Sequence, residues 1–268
     1  MTRKVVVVLA IAAMTVFATS CEKLKARDQL NKGVQAYKNA QYPAAVERFK
    51  TAVELDPKFD TARLYLATAY MMQYIPGAES PENMQMAQAA QDQFMKVLEQ
   101  NPKNELAIAS IASLLFNEKK LDEARQWYEK LIQVAPNNKE AFYTLGVIAW
   151  TKAFQPRMEA RAKLGMKPED PGPVKDKKVR EALMAKNGPI VDEGIKDLDR
   201  ALKIDPEYDD AMAYMNLLYR EKADLEDSTE AYKKDTETAD GWVQKNLETR
   251  KIKAERKPTG GGITTETK

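Results

Sequence analysis

The chain has 268 residues, 44% of them hydrophobic and 31% charged, with 11 Gly and 13 Pro, a helix-rich composition rather than a collagen-like or disordered one. Histidine is absent and the single cysteine is Cys21, which excludes Ser-His-Asp and Cys-His nucleophile systems and every common His/Cys zinc site. The 42 Lys+Arg and 40 Asp+Glu give +2; setting aside Arg3 and Lys4 with the leading segment leaves 40 against 40, a balance that argues against general nucleic-acid binding.

Residues 1–20, MTRKVVVVLAIAAMTVFATS, combine a short basic start, an apolar run over 5–17, and small or hydroxyl residues before Cys21. That run is too short for the ~30 Å hydrocarbon core of a bilayer, so the segment reads as a secretory signal. Ala18-Thr19-Ser20-Cys21 resembles the lipobox of bacterial lipoproteins, whose cysteine is lipidated and becomes the first residue after cleavage. The resemblance implies a lipidated Cys21, a membrane anchor, and a cell-envelope location facing the periplasm from the inner or outer membrane. Ala18 departs from the Leu, Val or Ile usual three residues before the cysteine, and Ala18-Thr19-Ser20 also fits ordinary signal peptidase, which would leave a free thiol.

The remainder is dominated by an internal repeat of about 34 residues. Residues 26–59 and 105–138 share a phase: a small residue (Gly33, Ala112), an alanine (Ala45, Ala124), an aromatic four later (Phe49, Tyr128) and a proline eight beyond (Pro57, Pro136). Ala67, Ala90, Phe94 and Pro102 mark a second unit, and Gly146, Gly194, Leu198 and Pro206 a fourth. Small residues let two helices approach, the aromatic fills the space between hairpins, and the proline stops the second helix. Gln29 and Lys32, early in the first helix, suggest a solvent-facing end.

Two units are interrupted. Residues 74–84 (YIPGAESPENM) precede a long helix with Ser80 as its cap, Pro81 in its first turn, and an apolar face of Met84, Ala87, Ala90, Phe94 and Val97. Residues 153–189 hold Pro156, Pro168, Pro171, Pro173 and Pro189, from which two short helices, 157–164 and 174–186, are expected. Counted with Lys152, this insertion has ten basic and five acidic residues, whereas 192–230 has thirteen acidic and five basic. The opposite signs suggest intramolecular docking; a solvated charged excursion is the alternative. A first helix over 209–222 and a final helix over 228–256 follow, the latter with an inner side of Tyr232, Ala239, Trp242, Val243 and Leu247. Residues 257–268, KPTGGGITTETK, read as a flexible tail.

These residues, including the endings Glu54-Leu55-Asp56-Pro57 and Lys203-Ile204-Asp205-Pro206, resemble tetratricopeptide (TPR) repeats. The resemblance implies an all-α superhelical solenoid over 21–256, with units at 26–59, 60–104, 105–138, 139–208 and 209–256 and a long C-terminal capping helix. It implies an interaction scaffold without enzymatic activity, like envelope lipoproteins that assist outer-membrane protein assembly or pilus biogenesis. No cofactor, metal or nucleic acid is expected, and no oligomeric state is implied. In such arrays the first helix of each hairpin lines the concave face. Helical projection places Leu30, Val34 and Tyr37 there, then Leu64, Thr68 and Met71, then Ala109, Ser113 and Phe116, then Tyr143, Val147 and Trp150, and last Ala213, Leu217 and Arg220.

This face is apolar and aromatic and lacks the Lys and Asn pattern of TPR carboxylate clamps. It therefore suits an apolar helix or extended segment of a protein partner, with Tyr37, Phe116 and Trp150 as anchors. The same positions also fit packing between helices. Glycan capture, with Tyr143 and Trp150 stacking on sugar rings, is the alternative reading, and a carboxylate-pair enzyme a more distant one. A basic surface at Lys175, Lys177, Lys178 and Arg180 is the rival binding region.

Overall fold

The computed structural model of the chain describes residues 3–167 and 170–256, with side chains from Cys21 onward. The side chains of residues 1–20, read above as a signal, and all of residues 257–268, read as a flexible tail, therefore lie outside the described residues. The described residues form ten helices and no strand: α1 (Arg3–Lys38), α2 (Tyr42–Leu55), α3 (Asp60–Met71), α4 (Pro81–Gln100), α5 (Glu105–Asn117), α6 (Leu121–Val134), α7 (Lys139–Lys163), α8 (Lys177–Ile204), α9 (Asp209–Ala223) and α10 (Thr229–Arg256). They fall into two compact units, Met1–Val134 and Ala135–Lys268. In the first, α1/α2, α3/α4 and α5/α6 are hairpins, with α2 packed on α3 and α4 on α5. In the second, α7/α8 and α9/α10 are hairpins, with α9 packed on both α7 and α8.

The helix ends follow from local chemistry repeated at the same phase. Asp56, Asn101 and Asp205 each follow the last residue of a helix and accept, through Oδ1, the amide two residues on: Lys58 at 3.2 Å, Lys103 at 3.3 Å and Glu207 at 3.0 Å. The expected helix-ending role of the Asp-Pro pairs is thus direct. Ser80, Asn104, Asn138 and Asp176 cap helix starts by accepting the amide three residues later. Ala40 and Lys119, at equivalent places after α1 and α5, both take left-handed φ values, 56° and 62°.

The small and aromatic positions meet as the repeat requires. A methyl group at Gly33 would stand 2.5 Å from the Phe49 ring, one at Gly146 2.5 Å from Leu198, and one at Gly194 2.5 Å from the Ala149 Cβ. Ala45, Phe49, Ala90, Phe94, Ala112, Ala124 and Leu198 are all 0% exposed. Ala124→Leu is therefore expected to overfill α6 and cost about 1–3 kcal/mol, whereas Leu at exposed Gln126 on the same helix costs much less. Urea melts of the two variants check this, and coincident curves would disprove the repeat phase.

The first interruption is a stapled loop rather than a free one. Gly77, at φ +82°, forms the turn that lets the Ala78 amide bond the Ile75 carbonyl at 3.2 Å. Buried Asn83 then holds the loop to the start of α4: its Oδ1 accepts from the Ile75 amide at 2.7 Å, and its Nδ2 donates to the Ile75 and Ala78 carbonyls at 2.9 and 2.7 Å. Met84, expected on the inner face of α4, is instead exposed, because Asn83 takes the inward position beside it.

The second interruption departs more from expectation. Among the described residues of 153–189 there are no separate short helices, because α7 continues through Pro156 to Lys163 and α8 runs through Pro189. Each proline removes one helix hydrogen bond, yet neither helix ends there. Asn187, buried between them, donates to the Ala153 carbonyl at 2.9 Å and ties the two helices together at the level where α7 extends beyond an ordinary repeat.

The docking suggested by the opposite charges of 153–189 and 192–230 is present and buried. Arg157 donates to Glu221 and Asp224, both at 2.6 Å, and Arg161 donates to Asp224 at 2.9 Å. Arg161 also reaches the Lys167 and Asp170 carbonyls at 2.9 and 2.6 Å, so this side chain, 2% exposed, organises the connection between α7 and α8.

In α10, Ala239 is buried and Tyr232, Trp242 and Val243 are partly buried, as expected, but Leu247 is 56% exposed. The inward positions of its last turns are polar instead: Asn246 donates to the Asp209 carbonyl and Thr249 lies against Met212. Arg250 pairs with Asp209 at 3.0 Å, Lys253 also pairs with it, and Arg256 reaches Glu207 at 2.7 Å. Lys253 first, and Arg250 with it, hold the Asp209 carboxyl below its ordinary 3.8.

Candidate binding faces

In the first unit, Leu30, Val34 and Tyr37 of α1 pack against a core of Ala45, Val46, Phe49, Leu66 and Ala69 and remain only partly buried. The Tyr37 ring meets Tyr42 edge-on at 5.4 Å and Tyr65 at 6.4 Å, and burial raises its hydroxyl pKa. Leu64, Thr68 and Met71 lie on the same partly buried face of α3, where the Thr68 hydroxyl donates back to the Leu64 carbonyl at 2.8 Å and so offers less to a partner. Phe116 of α5 is partly buried, with the Lys119 ammonium 5.9 Å from its ring centre.

In the second unit, Tyr143 and Trp150 of α7 both lean on Tyr214 of α9, each with ring centres 5.6 Å apart and near-perpendicular planes. Tyr208, just before α9, lies 5.2 Å from Tyr143, and Phe154 lies 5.0 Å from Trp150. Burial, with Tyr214 and Asp210 nearby, pushes the Tyr143 hydroxyl up to about 12, and the Tyr208 and Tyr214 hydroxyls are raised for the same leading reason. All three stay protonated near neutrality and can donate hydrogen bonds. Val147, between Tyr143 and Trp150 in sequence, is 8% exposed, so it supports this face from beneath rather than presenting itself.

Sequence reasoning missed Tyr208, Tyr214 and Phe154. The projection ran through Ala213, Leu217 and Arg220, one position away from Tyr214, because the stripe of α9 facing α7 is rotated by about one residue. Arg220 is exposed and engaged elsewhere, donating to Asn216 at 2.9 Å and Asp240 at 2.6 Å. Cys21 is exposed and takes part in no disulfide. Among the described residues there is no group of three or more potential metal-binding side chains, and no helix is long and apolar enough to cross a membrane.

Helical hairpins closed by a small residue against a large one, with aromatic side chains on the first helices, define the class of helical-repeat protein to which this chain belongs. Tetratricopeptide-repeat family profiles match residues 30–74 and 84–146. Solved structures similar to the chain include a MamA protein, with 15% identity over 87% of this chain and 96% of that one and a TM-score of 0.58. MamA from Desulfovibrio magneticus RS-1 matches at 17% identity over 85% and 96%, with a TM-score of 0.57. YrrB, described as a TPR protein with an unusual peptide-binding site, matches at 16% identity over 85% and 90%, with a TM-score of 0.53. No curated protein matches the chain by sequence. The chain thus carries tetratricopeptide repeats over those residues, within a fold built of helical hairpins throughout the described residues.

Proposed function

We propose that the chain is an exported scaffold, tethered to a cell-envelope membrane by lipid on Cys21, that holds an apolar helix or extended segment of a protein partner. The observation that carries this reading is the partly buried ring cluster of Tyr143, Trp150 and Tyr214, which offers rigid apolar area together with neutral hydroxyl donors. Such side chains lose little rotamer freedom on binding and dominate interface energies. The described peptide-binding site of YrrB, a protein of similar fold, supports a peptide as the kind of ligand. Tyr37 and Phe116 would serve as further anchors in the first unit.

Affinity capture from cross-linked envelopes tests the binding face. Trp150→Ala is expected to weaken partner capture by about 2 kcal/mol or more while leaving helical circular dichroism unchanged. Capture that survives the substitution, or binding to a glycan array without any stoichiometric protein, would overturn the reading in favour of another surface or of glycan capture.

The anchor is tested separately. Metabolic labelling with palmitate is expected to mark the wild type and vanish in Cys21→Ser, and labelling that persists would place the modification elsewhere.

A further inference from the structure

The extension of α7 and α8 encloses a cleft of about 350 Å³ that the aromatic faces do not use. Its walls are Pro156, Ala160 and Leu164 on one helix and Val179, Ala182 and Leu183 on the other. Beneath it lies a small separate core, in which Ala160, Val174, Leu183 and Leu225 are buried together. The cleft is therefore apolar and preformed, a shape that favours one inserted large side chain.

Its rim carries charge of one dominant sign. Lys163 and Lys186 line the cleft, are exposed, and have no ion-pair partner among the described residues. Lys178 is also exposed and lies one helical turn before Ala182, on the same stripe of α8. The one acid among the described residues of the rim, Glu159, accepts from Gln155 at 3.0 Å. Arg157 and Arg161, in contrast, spend their charge internally on Glu221 and Asp224. The insertion's basic character toward solvent thus resides in its lysines.

The spacing of those lysines defines a ligand. Lys186 precedes Asn187, which bonds Ala153, so that end of the cleft is level with Ala153. Lys163 lies ten residues further along α7, about 15 Å at 1.5 Å per residue. We propose that this cleft is a second docking site, specific for an acidic amphipathic segment of a partner protein. That segment inserts one bulky apolar side chain and carries carboxylates on both flanks, about 15 Å apart, the span of about ten helical or four to five extended residues. A bilayer also offers negative charge, but its surface has no protruding side chain to fill a concave apolar cleft. The site differs from the aromatic faces in both residues and chemistry, so it stands or falls independently of them.

The test is fluorescence anisotropy on the purified full chain, using a labelled helical peptide with Leu at its centre and Glu toward both ends. Wild type is expected to bind, with affinity falling as salt rises. Lys163→Glu with Lys186→Glu is expected to weaken binding by about tenfold or more, and to bind better to the same peptide with Lys in place of Glu. Ala182→Trp, which fills the cleft and leaves every charge in place, is expected to abolish binding, whereas Lys58→Ala, at an exposed lysine of the first unit, leaves it unchanged. Circular dichroism establishes that each variant is folded. Binding unaltered by both the charge and the cleft variants overturns the proposal. So does lysine-dependent binding to phosphatidylglycerol vesicles without peptide binding, which would identify the rim as a membrane-contact surface.

Discussion

Arg161→Ala is expected to destabilise the second unit by about 3–5 kcal/mol. The guanidinium is almost wholly buried, and its loss leaves Asp224 with Arg157 as its remaining cationic partner while the Lys167 and Asp170 carbonyls lose their shared donor. The charge of Asp224 would then be poorly compensated at 4% exposure. Breaking a buried pair from one side in this way is costly even when the intact pair contributes little. Glu221 shows how finely the cluster is balanced: desolvation outweighs the attraction of Arg157 and holds its carboxyl above the ordinary 4.5. A carboxyl pKa raised by folding adds stability below the ordinary value and loses it as pH rises through the folded value. Ionising Glu221 therefore costs the fold. Removing charge in pairs follows the same logic: Arg161→Met with Asp224→Leu should be less destabilised than Arg161→Ala alone. Urea denaturation with limited proteolysis of the connection checks both results. A loss under about 1 kcal/mol for Arg161→Ala would refute the role given to this cluster.

Phe49→Ala is expected to cost the first unit about 3–5 kcal/mol. Phe49 is fully buried, stacks on Tyr65 at 5.4 Å, and fills the space left by the missing side chain of Gly33. The two positions should therefore be coupled. Gly33→Ala alone drives a methyl group into the ring and should cost about 1–3 kcal/mol. Combined with Phe49→Leu, which gives the methyl group room, its cost should shrink. Additive losses across this double-mutant cycle, read from denaturant melts, would mean that the close approach does not set the spacing of α1 and α2.

That pair also explains how much of the fold was legible in advance. Gly33 with Phe49, and Gly146 with Leu198, stand at a fixed phase because close helix approach needs a small residue opposite a large one, and this is a local, periodic signal. The caps at Ser80 and the stops at Asp56 and Asp205 were legible for the same reason, since each concerns a side chain and an amide two or three residues away. The continuity of α7 and α8 was not legible. Proline normally marks a helix boundary, and here tertiary contacts override it, through Asn187 on Ala153 and through Arg157 and Arg161 on partners more than sixty residues away. The opposite charge of the two stretches announced an attraction but not which four side chains would meet in it. The aromatic cluster of the second unit was legible in part: periodicity puts Tyr143 and Trp150 on one stripe of α7, but Tyr214, which meets both rings, depends on the rotation of α9, which packing rather than sequence spacing sets.

Asn83 has a consequence for what this chain could be made to carry. Its three bonds to Ile75 and Ala78 close the base of the 75–78 turn, so the path of α3 and α4 is set below the Pro76–Gly77 tip rather than by it. Extra residues at the tip would lengthen a loop that is already closed, at a cost of only about 0.6 kcal/mol for each doubling of its length. The junction between Pro76 and Gly77 is thus a natural grafting point, where an epitope or a small folded domain could be displayed without redesigning the repeats on either side.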